Sequence, residues 1–250
     1  MFPIHDDNPT ELAPIVTLGI IGACVAVWVY LQGAGFNTDT LGGSICTLGA
    51  IPAEVTGQGR LRADLVGPCG LGGLTWQALF TSMFLHGSWM HLVGNMWFMW
   101  IFGNNVEDSM GHLRFLVFYL LAGLIAAMAH VLADPSSPVP MVGASGAISA
   151  IMGAYLVLYP TARVNTAIFF LVFFKIFPLP AWVLLGYWFL IQAAENAVSG
   201  GASGVAYMAH IGGFLAGVVL IAMFANPNLV DAKRSNVVLD PSQIDRGGWW

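Results

Sequence analysis

The chain has 250 residues, of which 57% are hydrophobic and only 8% charged, and its formal net charge is −5. Soluble domains carry about 25% charged residues, so this composition excludes an ordinary soluble globular protein. No basic block marks a nucleic-acid surface, and no repeat recurs at a fixed period.

Residues 1–13 read as a short polar tail. The first apolar run, Pro14 to Gln32, follows acidic residues (Asp6, Asp7, Glu11). A signal peptide begins with positive charge and ends in a small-residue cleavage site, so this run reads as a retained span. Residues 33–87 form a long, Gly-rich loop. Its apolar second half, Leu74-Thr-Trp76-Gln-Ala-Leu-Phe80, resembles an interfacial segment, because Trp favours the headgroup level. The second span runs from Ser88 to Asn104, the third over 114–132, and the fourth over 145–159, which is short against the roughly 20 residues a crossing needs. Ile168–Lys175 is apolar but interrupted by Lys175, Pro178 and Pro180, and is expected to lie as a loop against the membrane. The fifth span covers 180–196 and the sixth 205–224. A seven-span alternative, with 164–177 crossing, is possible, but that run is short for a span. From Asn226 the chain is polar and expected to be loose. The expected fold is therefore an all-α membrane protein, a six-transmembrane-helix bundle over 14–224 with a long outer loop at 33–87. It is flanked by tails at 1–13 and 225–250.

Six spans put both tails on one side. Arg114, Arg163, Lys175, Lys233, Arg234 and Arg246 fall on the side of the tails, and only Arg60 and Arg62 fall opposite. Positive charge favours the cytoplasm, so both termini are expected there. Of the three cysteines, Cys24 reads as a small buried residue in the first span. Cys46 and Cys69 can pair if the long loop faces an oxidising compartment. With no zinc-type spacing, neither a metal site nor another cofactor is expected.

This orientation gathers polar side chains from three helices near the outer face. Ser145, in Gly143-Ala-Ser145-Gly146, stands where a turn-rich loop (Asp134-Pro-Ser-Ser-Pro-Val-Pro140) hands over to a buried helix. The plain reading is an N-cap, since a Ser oxygen accepts an orphan backbone N–H. The sharper reading is a nucleophile. His210 lies about one turn into span six, beside Ala209, Gly213 and Gly217. Gly213-Phe-Leu-Ala-Gly217 permits close helix approach. Span four offers a matching small face, Gly146, Ala150, Gly153 and Ala154. If the two faces meet, His210 Nε2 reaches Ser145 Oγ and can take its proton. His91 and Asn95, four residues apart in span two, share a helix face. Alone they would read as interhelical hydrogen-bond glue. Beside a nucleophile they are candidate oxyanion donors, with the Ser145 backbone N–H. No carboxylate falls near the reacting ends of spans four and six. Glu195 is placed at the other end of span five, and Asp134, on an outer loop, stays open as a third member. A Ser–His dyad is the simpler reading. The motif is not the strand–turn–helix nucleophile elbow, which excludes an α/β-hydrolase. His130 is a rival base on depth alone, with no small-residue ridge to bring it to Ser145. His5 and His112 fall away from this face, and Trp89, Trp97 and Trp100 read as packing or interface residues.

Taken together, several stretches resemble the rhomboid intramembrane serine proteases. These are Trp76-Gln77 with Thr81-Ser-Met-Phe-Leu-His86-Gly-Ser-Trp-Met-His91-Leu-Val-Gly-Asn95, then Gly103-Asn-Asn-Val-Glu107-Asp, Gly143-Ala-Ser145-Gly146, and Ala209-His210-Ile-Gly-Gly213. They occur in the family's order across 14–224. The resemblance implies a six-helix bundle with a water-filled cavity open outward, Ser145 as nucleophile, His210 as base, and His91 and Asn95 as oxyanion donors. It implies cleavage of other proteins' transmembrane segments, and structural roles for His86 and Glu107. Inactive relatives lose the Ser or the His, and this chain keeps both. Some members stack an aromatic, four residues after the nucleophile, on the catalytic His; here that position is Ser149. Compactness and the resemblance together point to a bacterial plasma (inner) membrane.

The leading expectation is thus an intramembrane endopeptidase whose partners are transmembrane substrates and the lipid bilayer. Substrates would carry small or helix-breaking residues near the outer interface, and the loops 133–142 and 197–204 would flex to admit them. The alternative is a non-catalytic rhomboid-like protein that binds client helices, which the intact Ser–His pair argues against. A transporter would show inverted repeats with broken helices, and none is visible.

Overall fold

The computed structural model describes residues 1–61, 69, 74–170, 173–199 and 205–234. The chain opens with strand β1 (Phe2–Asp6), where a polar tail was expected. Helix α1 (Ile15–Ala26) continues through a π-helical turn, Val27–Leu31, and matches the first expected span. The stretch read as a long loop holds short helices: α2 (Thr38–Leu48), α3 (Pro52–Val55), α4 (Gln58–Leu61) and α5 (Ala78–Thr81). Asn37 starts α2, its Oδ1 accepting from the N–H groups of Asp39 and Thr40, each at 2.9 Å. A disulfide joins Cys46 to Cys69, so this segment is a cross-linked cap.

Helix α6 (Trp89–Phe98) starts at Ser88, whose hydroxyl accepts the His91 N–H. It runs on through a π-helical turn, Met99–Gly103, into α7 (Asn104–Met110), so the second expected span is too short at its far end. Gly111, at φ 79°, breaks the helix and admits α8 (His112–Ala133). Helix α9 (Ser145–Leu158) follows, close to the expected fourth span.

Residues 163–180 are not a loop. They form strands β2 (Arg163–Phe170) and β3 (Phe173–Pro180), and the antiparallel sheet has the order β1-β2-β3. Phe2 lies opposite Ala167, and Arg163 opposite Pro180. Val164 and Thr166 are buried two residues apart, at strand period. Pro178 and Pro180 sit on an edge strand, where a missing N–H is tolerated. The hairpin also removes the seven-span alternative. Helices α10 (Ala181–Ser199) and α11 (Tyr207–Phe224) take the places of the fifth and sixth expected spans. The expected loose tail begins instead with helix α12 (Pro227–Arg234). There the nearly buried Lys233 ammonium donates to Asp108 Oδ2 at 2.9 Å and Asn105 Oδ1 at 2.8 Å. Of the loop expected to flex at 197–204, residues 200–204 lie outside the described residues, as does the tail beyond 234.

The core is built around α9, whose residues Gly146 to Tyr155 are all buried. Helix α11 lies directly against it. A Cβ added at Gly213 would stand 2.1 Å from the Gly146 carbonyl oxygen, and one at Gly217 would stand 1.9 Å from that of Ala150. These are backbone-to-backbone contacts that only glycine permits, the close approach expected of the small-residue ridge. On the outside, α8 and α11 expose Leu121, Ile125, Val219 and Met223. His112–Ala133 and Tyr207–Phe224 are each long and apolar enough to cross a membrane, and Ile15–Leu31 and Ser145–Leu158 are shorter apolar helices. An apolar sheath of this kind suits lipid rather than water.

Buried polar groups lock the end of the bundle opposite Ser145. The fully buried Glu107 carboxylate accepts from Val16 N–H (3.0 Å), Thr17 N–H (2.8 Å) and Thr17 Oγ1 (2.7 Å), and pairs with His112 Nδ1 at 2.6 Å. It thereby satisfies two orphan donors at the start of α1. Asp6 of β1 accepts from Tyr155 Oη (2.6 Å), far down α9, and from Asn105 Nδ2 (2.8 Å). Burial pushes the Asp6 carboxyl up to about 6 in spite of the Tyr155 bond.

Candidate active site

Ser145 is the first residue of α9, and the helix is capped at Ala144 with no side-chain hydrogen bond. The N-cap reading of Ser145 is therefore set aside: its hydroxyl does not close the helix. Instead Oγ lies 2.8 Å from His210 Nε2 on α11. The glycine contacts explain this distance, because they bring the two backbones together one turn away from His210.

The imidazole has a second partner that sequence reasoning missed. Its Nδ1 lies 2.7 Å from Gln192 Oε1 on α10. One turn earlier on the same helix, the Trp188 ring packs on His210 at 5.9 Å between centroids, tilted 37°, and Trp188 in turn stacks on Phe214. Tyr207 stands edge-on to the imidazole at 6.3 Å. What holds the ring is thus supplied by α10 and by Tyr207, and Ser149 is elsewhere: its hydroxyl donates to the Ser145 carbonyl at 2.6 Å. The sequence signal for Gln192 is a polar amide inside a mostly apolar span, ahead of the polar end at Glu195 and Asn196. Glu195 was assigned to the wrong end of that span. Its neighbour Asn196 lines the cavity described below, while Glu195 itself is exposed.

His91 and Asn95 both face the same space as Ser145. His91 Nδ1 accepts the Gly87 N–H at 3.3 Å, so the proton of the neutral ring resides on Nε2. That Nε2 points at Gly143: a Cβ added there would stand 2.8 Å from it and 3.5 Å from Ser145 Oγ. Gly143 has φ 130°, a conformation that a side chain would strain. Asn95 is 7% exposed, and its Nδ2 has no hydrogen-bond partner among the described residues. Two donors, one of them unpaired, therefore line the same cavity as the hydroxyl. The first N–H groups of α9 also lack intrahelical acceptors.

These residues line a cavity of about 680 Å³ that also takes in Met90, Phe98, His130, Asp134, Val139 and Met152. His130 shares the cavity but not the bond to Ser145, and the Nδ1 of His210 is met by Gln192 rather than Asp134. His86 is fully buried, edge-on to His91 at 5.2 Å. Its backbone is clamped by Gln32, which donates to the His86 carbonyl (2.8 Å) and accepts its N–H (2.9 Å). His86 thus packs behind His91, and the turn that carries both is fixed to the end of α1. No group of His, Cys, Asp or Glu able to hold a metal occurs among the described residues.

Fold and site together define a helical membrane protein with a hydrogen-bonded serine and histidine at the wall of a cavity. The chain belongs to the rhomboid family: residues 73–227 match its family description, Rhomboid domain. It is 30% identical over 203 residues to the Rhomboid protease GluP of Bacillus subtilis, covering 79% of this chain and 32% of that protein. It is 31% identical over 173 residues to the Rhomboid-like protease 5 of Toxoplasma gondii, covering 68% of this chain and 18% of that one. The Rhomboid-like protein 11, chloroplastic, of Arabidopsis thaliana is 30% identical over 157 residues, covering 58% and 51%. The chain spans at most about half the length of these relatives. They include proteins named as proteases and proteins named only as rhomboid-like.

Proposed function

We propose that the protein is a serine endopeptidase that cleaves transmembrane segments of other membrane proteins near the outer membrane face. The observation that carries this reading is the 2.8 Å contact between Ser145 Oγ and His210 Nε2 at the wall of the cavity. Ser145 attacks the scissile carbonyl while His210 Nε2 takes the hydroxyl proton. The carbonyl oxygen becomes an oxyanion that His91 Nε2–H, Asn95 Nδ2 and the start of α9 stabilise. His210 then hands its proton to the leaving amine, which departs and leaves the acyl group on Ser145. Water enters from the cavity, gives a proton to His210 and attacks the ester. The histidine returns that proton to Ser145 as the acid product leaves.

The reading extends to topology: six spans, both termini cytoplasmic, and a bacterial plasma membrane. The charge distribution supports the orientation, and the Cys46–Cys69 bond supports a cap in an oxidising compartment. A small residue at the cleaved position fits best, because His91 Nε2 lies against Gly143, two residues before Ser145. The test uses purified wild type, Ser145→Ala and His210→Ala in detergent, each exposed to a fluorophosphonate probe and a single-span substrate. We expect cleavage only by wild type and no labelling of Ser145→Ala. Equal cutting by all three would mean that another protease is responsible. A folded wild type that neither labels nor cuts would favour the client-binding alternative.

A further inference from the structure

Beyond the dyad, and resting on the protease reading above, we propose that Gln192 is a positioning residue that fixes the tautomer of His210. A neutral imidazole carries one N–H, and the partner of one nitrogen decides what the other can do. The two nitrogens of His210 are each engaged, Nδ1 by Gln192 Oε1 at 2.7 Å and Nε2 by Ser145 Oγ at 2.8 Å. An amide oxygen only accepts, so it holds the proton on Nδ1. That leaves the Nε2 lone pair facing the Ser145 hydroxyl, the state a general base requires. In the opposite tautomer Nε2–H would donate to the serine, and the serine proton would have no acceptor.

The contact is built rather than incidental. Gln192 and Trp188 are four residues apart and project from one face of α10. One fixes the proton and the other lies on the ring, so α10 controls both the chemical state and the orientation of His210. An amide is also the economical choice at this depth. A carboxylate would hold the imidazolium more strongly, but a charge within a membrane helix is far more costly than a neutral amide. The other ionisable groups that face the cavity are His91 of α6, His130 and Asp134 at the end of α8, and Tyr207 of α11. No hydrogen bond joins any of them to His210 Nδ1.

The experiment compares wild type with Gln192→Met, which keeps length but has no acceptor, and Gln192→Glu, which keeps shape and adds charge. Cleavage kinetics from pH 5 to 9 give the first readout. Gln192→Met should lose roughly 10- to 100-fold in kcat at unchanged KM. Gln192→Glu should keep most of the activity and move the acid limb of the kcat profile upward by about one pH unit. Nitrogen NMR of ¹⁵N-histidine protein, with His210 assigned from His210→Ala, gives the second. It should show a protonated Nδ1 in wild type and in Gln192→Glu, and a population protonated at Nε2 in Gln192→Met. Thermal unfolding confirms that the variants are folded. If Gln192→Met does not fold, Gln192→Glu decides alone through the acid limb. Wild-type kcat and an unchanged tautomer in Gln192→Met would overturn the assignment. So would an equal kcat loss in both variants with an unmoved acid limb. The tautomer is read whether or not the protein cuts anything, so failure of the protease reading shows separately, as a wild type that neither cleaves nor labels.

Discussion

Replacing Gly213 by Ala tests whether the Ser–His distance is set by backbone contact. The added Cβ would meet the Gly146 carbonyl oxygen at 2.1 Å. A carbon approaches a carbonyl oxygen to about 3.3 Å, so the backbones of α9 and α11 must part by about 1.2 Å. Gly213 lies one turn from His210 and on the same face. The 2.8 Å separation of Nε2 and Oγ then grows to roughly 4 Å, beyond hydrogen bonding. A displacement of that size costs on the order of 10²-fold in rate, and the forced packing costs about 1–3 kcal/mol of stability. Fluorophosphonate labelling rates, substrate cleavage and thermal unfolding in detergent measure all three quantities. Gly186→Ala on α10 is the control, since a Cβ there meets nothing within 4 Å. If Gly213→Ala labels and melts like wild type, close helix contact does not set the dyad distance.

Truncating His91 or Asn95 to Ala should each lower kcat by about 10²- to 10³-fold while labelling still requires Ser145; a loss under threefold would remove that residue from the oxyanion site. Asp6 carries a pH signature. Its folded value of about 6 lies above the ordinary 3.8, so the native state holds a proton that the unfolded chain releases. The penalty is absent below about pH 4, grows as pH rises to about 6, and reaches up to about 3 kcal/mol above that. Asp6→Asn should therefore flatten the fall in Tm between pH 4 and 7 and raise stability at pH 7; an unchanged slope would mean that another group titrates. Replacing Cys46 and Cys69 by Ala opens a link between residues 23 apart and should cost up to about 3 kcal/mol. The cap should then become sensitive to protease at temperatures where Ser145 still labels.

The sequence located the helices that carry the site because their signals are local. An apolar run, a Ser after a turn-rich loop, and a His beside a glycine ridge are each read within a few residues. Where pairing partners were distant, the reading failed. Strand β1 looks like a polar tail until Ala167 is seen opposite Phe2. The hairpin at 163–180 carries prolines that argue against a central strand but are harmless on an edge. Lys233 looks like tail charge until Asp108 is placed beside it. Gln192 is hard to read for a related reason: the usual histidine partner is a carboxylate, whereas the acceptor here is a neutral amide on a third helix.

The pairing of β1 with β2 also sets an order of events during synthesis. Phe2 cannot meet Ala167 until some 160 further residues have been made. At about 5–20 residues per second, that is a wait on the order of ten to thirty seconds. For most of that interval Asp6 has no Tyr155 to accept from, and β1 has no strand to pair with. Closure of the sheet is therefore a late step, coming after most of the helices exist. A nascent chain truncated before residue 163 should leave its first six residues open to protease, and the longer chain should protect them.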